Sequence, residues 1–169
     1  KSLMDMCTLC VNLEPCNHQG ATPPCSDLIV FSKIPRVVVG CSDPFKLVNG
    51  AGIEKLKNAG CEVLVGVLEQ EAQEINKRFF TFHLKKRPYI ILKWAQSNDG
   101  FIAPLNENRP LKEPFWLSNE SSQTYSHLWR SHEQSILVGV QTVIDDNPSL
   151  TTRKVQGNSP LRIVLDPQG

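Results

Sequence analysis

Residues 135–153 read SILVGVQTVIDDNPSLTTR. The opening SILVGV is short, apolar and rich in β-branched side chains, and it reads as a strand. Asp145-Asp146-Asn147-Pro148 supplies turn chemistry, with Asp146 placed to cap it. Arg153 closes the 147–152 loop. Downstream, LRIVLD (161–166) reads as a second strand. Upstream, residues 119–132 read as a helix with Ser118 as its N-cap. Before them come an irregular Pro-rich stretch (104–114), a polar loop holding Asp99-Gly100, and a strand YIILKWA (89–95).

The same rhythm precedes the Lys85-Lys86-Arg87-Pro88 linker. CTLCVNLE (7–14) reads as a strand and 26–31 as a short helix starting at Cys25. RVVVGC (36–41) is a continuous apolar run, as in a buried parallel strand. AGIEKLKNAG (51–60) is a helix stopped by Gly60, and CEVLVGV (61–67) another buried strand. Residues 68–85 form one helix, with Leu68, Ala72, Ile75, Phe79 and Phe82 at three- and four-residue spacing. Strand–helix alternation on both sides of residue 87 predicts two α/β domains, 1–86 and 87–169. The first is expected to miss its start and the second its end.

Bulk composition narrows the classes. The chain has 169 residues, 40% apolar content and a net charge of +1. That balance gives no electrostatic case for nucleic acid or an anionic membrane surface. No apolar run approaches the ~20 residues of a membrane span. Six cysteines in so regular an α/β pattern point to a reduced, cytoplasmic protein rather than a disulfide scaffold.

Two of those cysteines stand apart. In LEPCNHQGATPPC (13–25), Cys16 and Cys25 each follow a proline that fixes φ. Cys25 also sits at a helix start, where amides and the dipole favour thiolate. The loop has little apolar surface to bury, so the pair reads as ligands for zinc. His18 is read as touching substrate or solvent. A rival closed site would add Cys7 and Cys10, but residues three apart on a strand point to opposite faces.

Strand, Glu-Pro-Cys and then Pro-Pro-Cys resemble the second half of a cytidine-deaminase-type zinc site, with eight residues between the cysteines. This spacing, together with KWAQSNDGFIA (93–103), FWLSNESS (115–122), HLWRSHEQSILVGVQTVIDDNPSLTTR (127–153) and PLRIVLD (160–166), is similar to the bifunctional deaminase/reductase family of riboflavin biosynthesis. That family joins a diaminohydroxyphosphoribosylaminopyrimidine deaminase to a 5-amino-6-(5-phosphoribosylamino)uracil reductase. The resemblance implies a cytidine-deaminase-like three-layer domain, present as its C-terminal part, followed by a dihydrofolate-reductase-like domain, present as its N-terminal part.

It also implies chemistry. Zinc-dependent hydrolytic deamination of a phosphoribosylated diaminopyrimidinone would be followed by NADPH-dependent reduction of its ribosyl chain. Cys16 and Cys25 would hold zinc, with the third ligand and the proton-transferring Glu in a His-Ala-Glu stretch upstream, so no catalytic residue is expected within 1–169. Ala95, Trp116, Thr142 and Asp146 would contact NADPH. Arg130, Leu150 and Arg153 would contact substrate, the two guanidiniums suiting its ribose phosphate. No G-x-G-x-x-G follows a strand, so a Rossmann site is not indicated. Where many relatives carry a basic residue before Thr-Pro-Pro, this chain has Ala21. The implied partner is a small phosphoribosyl pyrimidine, with room for a homo-oligomer and no role for nucleic acid or membrane. Two alternatives stand beside this reading: reductase activity alone on a degenerate deaminase scaffold, and a non-catalytic zinc-stabilised module.

Overall fold

A computed structural model describes residues 3–45, 48–104 and 115–169, apart from the side chain of Asp5. Of the Pro-rich stretch expected at 104–114, residues 105–114 lie outside the described residues. The chain divides into two compact units, Lys1–Ile91 and Leu92–Gly169.

In the first unit, β1 (Thr8–Leu13), β2 (Arg36–Cys41) and β3 (Glu62–Val65) form a parallel sheet in that order. The register sets Cys10 opposite Val38 and Val38 opposite Leu64. Strand parity sends Val37 and Val39 to one face, where both are fully buried. They meet Ile29 of α1 (Cys25–Phe31) and Leu56 of α2 (Ala51–Asn58), with Leu9, Val11, Ile34, Cys61 and Val63 packed around them. Burial of each large apolar side chain stabilises the unit by about 1.5–3 kcal/mol. Gly40 has the opposite parity and faces α3 (Glu69–Ile75). A Cβ there would stand 2.6 Å from the Ala72 Cβ and 2.8 Å from the Asn12 carbonyl, so only glycine lets α3 approach.

Several expected elements change here. The strand at 61–67 is expected to be buried, yet Glu62, Leu64 and Val65 are exposed, and among the described residues β3 lies at the edge of its sheet. The helix expected over 68–85 is broken into α3 and α4 (Lys77–Lys85) at Asn76. The Asn76 side-chain amide donates to the Ala72 carbonyl at 2.8 Å, competing with the helix's own ladder.

In the second unit, β4 (Ser135–Gly139) pairs in parallel with β5 (Leu161–Leu165). α5 (Glu120–His132) precedes them, and α6 (Val140–Asp146) follows β4 without a break. The cap of α5 is Asn119 and not Ser118: Asn119 Oδ1 accepts from the Ser122 amide at 2.9 Å. Residues 89–95, expected as a strand, pair with no strand among the described residues, and unpaired extended backbone is not a strand. α6 itself was not expected, since VQTVIDD is rich in β-branched residues.

The expected fold class, a cytidine-deaminase-like three-layer domain followed by a dihydrofolate-reductase-like domain, does not hold for this chain. The described residues build a three-stranded and a two-stranded parallel sheet. No group of three or more His, Cys, Asp or Glu among them could hold a metal ion.

Candidate functional site

The richest polar constellation lies along α5. Its Asn119 cap starts the helix, and positions 120, 123, 127 and 130 then fall on one face. The segment after the Asn147 turn runs antiparallel along that face. Arg130 Nη1 donates to the Thr151 carbonyl at 2.7 Å. The Arg153 amide donates to His127 Nδ1 at 3.1 Å. Lys154 Nζ donates to Gln123 Oε1 at 2.9 Å and lies 3.7 Å from a Glu120 carboxylate oxygen. Three successive rungs therefore tie 151–154 to one helix stripe.

The strand side and the loop itself hold this segment as well. Arg162 of β5 donates to the Ser149 carbonyl at 3.4 Å. Within the loop, the Thr152 amide donates to Ser159 Oγ at 3.0 Å, and its hydroxyl to the Asn158 carbonyl at 3.1 Å. Leu150 takes φ +54, a left-handed conformation costly for a branched residue. Gly157, at φ +147, lies against Ser131, where a Cβ would meet Ser131 Cβ at 2.6 Å.

The charge at this site is cationic. His127 is buried, and burial, then Arg130, Arg153 and Lys154, push its imidazole below the ordinary histidine range. Burial first, then Arg153, lowers Arg130 as well. Arg130 Nε is buried and has no hydrogen-bond partner among the described residues. A buried guanidinium N–H without an acceptor, among like charges, is chemically suited to an anion.

Of the residues expected to contact substrate, Arg130, Leu150 and Arg153 lie on this one helix–loop ladder. Of those expected to contact cofactor, Thr142 and Asp146 stand four apart on α6, on one helical face. Ala95 and Trp116 come from segments without regular structure. Trp116 is 57% exposed, and the hydrogen-bond ladder reaches neither residue. His127 went unnoticed in the sequence, although its place three residues before Arg130 puts the two on one face.

In the other unit, the cysteine loop closes as far as two donors. The Cys25 amide donates to Cys16 Sγ at 3.3 Å. The Cys16 side chain beside it first, and then burial, raise the Cys25 thiol above its usual range. Zinc sites need three or four protein ligands, and no such set exists among the described residues. These two residues do not fit the metal by themselves.

Beside that loop lies a residue that sequence reasoning missed. Glu14 is 4% exposed, and its carboxylate accepts four backbone amides. Asp43 (3.2 Å) and Gly50 (3.0 Å) bond one oxygen; Gly52 (3.0 Å) and Ile53 (3.2 Å) bond the other. A glutamate at a strand end, just before Pro-Cys, was the available signal.

Comparison with known proteins follows the second unit. Residues 88–169 match the family model described as the RibD C-terminal domain. The chain is similar to the RibD family over this region. It is 50% identical over 162 residues to the riboflavin biosynthesis protein RibD of Aquifex aeolicus, covering 95% of this chain and 44% of that one. With the RibD of Synechocystis it shares 45% over 159 residues, 94% of this chain and 42% of that. Among solved structures, the diaminohydroxyphosphoribosylaminopyrimidine deaminase/5-amino-6-(5-phosphoribosylamino)uracil reductase of Thermotoga maritima superposes with a TM-score of 0.86. It is 42% identical, over 96% of this chain and 44% of that one. Acinetobacter baumannii RibD gives 0.82 at 35% identity, over 93% and 44%.

The chain thus spans less than half the length of the RibD proteins it matches. The family match completes the correction of the fold class. In place of a deaminase domain followed by a reductase domain, the family model matches residues 88–169 as the RibD C-terminal domain. Among the described residues no helix is long and apolar enough to cross a membrane.

Proposed function

We propose that residues 88–169 form part of an NADPH-dependent reductase in riboflavin biosynthesis, acting on a phosphoribosylated pyrimidine. The observation that supports this reading most is the buried, unpartnered Arg130 Nε in a cationic cluster with Arg153 and Lys154. A ribose 5-phosphate supplies the dianion that such a cluster lacks.

In this reading Arg130 and Arg153 bind the substrate phosphate, and the backbone at Leu150 shapes the loop that faces it. Ala95, Trp116, Thr142 and Asp146 hold the cofactor. Thr142 offers a hydroxyl and Asp146 a carboxylate on one face of α6, a pairing suited to ribose hydroxyls. When bound, NADPH would supply the hydride that reduces the ribosyl carbon to ribityl. The protein's own part is orientation, since the cofactor carries the reducing chemistry. Zinc-dependent deamination is not proposed for this chain, because Cys16 and Cys25 supply two donors where three are needed.

Equilibrium titrations with NADPH and with D-ribose 5-phosphate test the assignment. Thr142→Val and Asp146→Ala should weaken NADPH and leave ribose 5-phosphate nearly unchanged. An unaltered chain that binds neither ligand overturns the proposal.

A further inference from the structure

The function proposed above accounts for the arginines but leaves His127 unassigned. Among the described residues of the second unit, it is the most buried polar residue, at 4% exposed. Its ring does not lie idle in a core. Nδ1 accepts the Arg153 amide, which places the imidazole's proton on Nε2. It is the middle rung of three, between Arg130–Thr151 and Lys154–Gln123.

Resting on that function, we propose that His127 is the positioning residue of the anion site. Its Nδ1 holds the Arg153 backbone in register with α5, so that the guanidiniums of Arg130 and Arg153 converge on one phosphate. The neighbouring loop needs such a restraint. Leu150 is left-handed, and Arg130 and Arg153 repel each other across the gap. Without the middle rung, the outer rungs alone would have to hold two like charges together.

The groups that bear electrostatically on His127 are cationic on both sides. Arg130 comes from its own helix, and Arg153 and Lys154 come from the loop. Glu120, two turns earlier on the same helix, lies 3.7 Å from Lys154 Nζ. The ring therefore stays neutral and able to accept while the site is empty, as the rung requires.

A histidine that merely fills space would tolerate any residue of similar volume. A positioning histidine would not, because the acceptor must sit where Nδ1 sits. Asparagine places its amide oxygen near that position, whereas glutamine reaches the place of Nε2. The full chain carrying His127→Asn or His127→Gln is titrated with D-ribose 5-phosphate, with thermal unfolding recorded for each. His127→Asn should bind within about twofold of the unaltered chain, and His127→Gln about tenfold more weakly, the worth of one hydrogen bond.

A second measurement needs no variant. In the unaltered chain, the Arg153 amide resonance should shift with the same pH midpoint as the His127 ring. An Arg153 amide indifferent to that titration overturns the inference, even where His127→Gln fails to fold. Ribose 5-phosphate failing to bind the unaltered chain overturns the proposed function and this inference with it. Binding that Asn and Gln weaken equally overturns the inference alone.

Discussion

Arg130 reaches across from α5 to donate its Nη1 proton to the Thr151 carbonyl at 2.7 Å, while its Nε, also buried, has no acceptor among the described residues. The guanidinium is thus fixed by one bond to the loop and keeps another donor direction open. A planar fork can serve both directions at once, and an ammonium on a flexible stem cannot. Arg130→Lys should therefore weaken D-ribose 5-phosphate by about tenfold while costing only about 1 kcal/mol in stability. Calorimetric titration and urea unfolding of the same sample separate the two effects. Unchanged phosphate affinity in Arg130→Lys would show that the open donor serves some other partner.

Arg153 makes the complementary case. Its backbone is held by His127, but its side chain is exposed, so removal should disturb the fold little. Arg153→Ala should raise KM for the phosphorylated aminouracil substrate, in the full-length parent enzyme, by roughly ten- to a hundredfold. NADPH affinity should hold, since the cofactor is assigned to Ala95, Trp116, Thr142 and Asp146. Arg153→Lys should recover part of the loss. Collapse of NADPH binding with substrate binding intact would reassign Arg153 to a phosphate of the cofactor.

In the first unit the informative residue is Glu14, whose carboxylate accepts four amides from the 43–53 segment. Glu14→Ala would leave these donors buried without acceptors, at about 1–3 kcal/mol for each that water does not reach. We expect a loss of several kcal/mol by urea unfolding. Glu14→Gln should cost less, yet clearly more than a surface change, because its NH₂ group faces N–H donors. Gly52→Ala should be comparably severe: its Cβ would fall 1.9 Å from the Pro15 carbonyl oxygen. Near-neutral unfolding midpoints for Glu14→Ala and Gly52→Ala would mean that the segment's amides find other acceptors.

How much of this was legible follows from the kind of interaction involved. β2 and β4 could be read directly, because an apolar β-branched run has few other uses. The break at Asn76 could not, since it depends on whether one side-chain amide turns back to its own helix. α6 was hidden for a related reason: Val140, Thr142, Val143 and Ile144 carry strand propensity that tertiary context overrides. Residues 89–95 show the converse, a strand pattern that pairs with nothing among the described residues. At the site, motif resemblance pointed to Arg130 and Arg153. The antiparallel run of 151–154 along α5 pairs residues 21 to 31 positions apart, a distance that local pattern cannot bridge. The fold-class expectation failed because it extended a motif resemblance at the cysteine loop to the C-terminal part of a deaminase domain, while the family model matches 88–169.

The last prediction concerns pH. Burial and the three cations around it lower the His127 pKa in the folded chain, whereas in the unfolded chain it titrates near the ordinary value of about 6.5. Between those two values the unfolded state binds more protons than the folded one. Stability must then fall as pH drops through about 6.5 toward the lower folded value, and level off below it. Above pH 7 both states are neutral at this residue, and His127 adds no pH dependence. Thermal unfolding from pH 8 to pH 5 should thus fall more steeply for the unaltered chain than for His127→Asn, which has no group to protonate there. Saturating D-ribose 5-phosphate should reduce the difference, because a bound dianion offsets Arg130 and Arg153 and raises the His127 pKa toward its unfolded value. Parallel melting curves for the two chains across this range would mean that His127 takes up its proton as readily when folded as when unfolded.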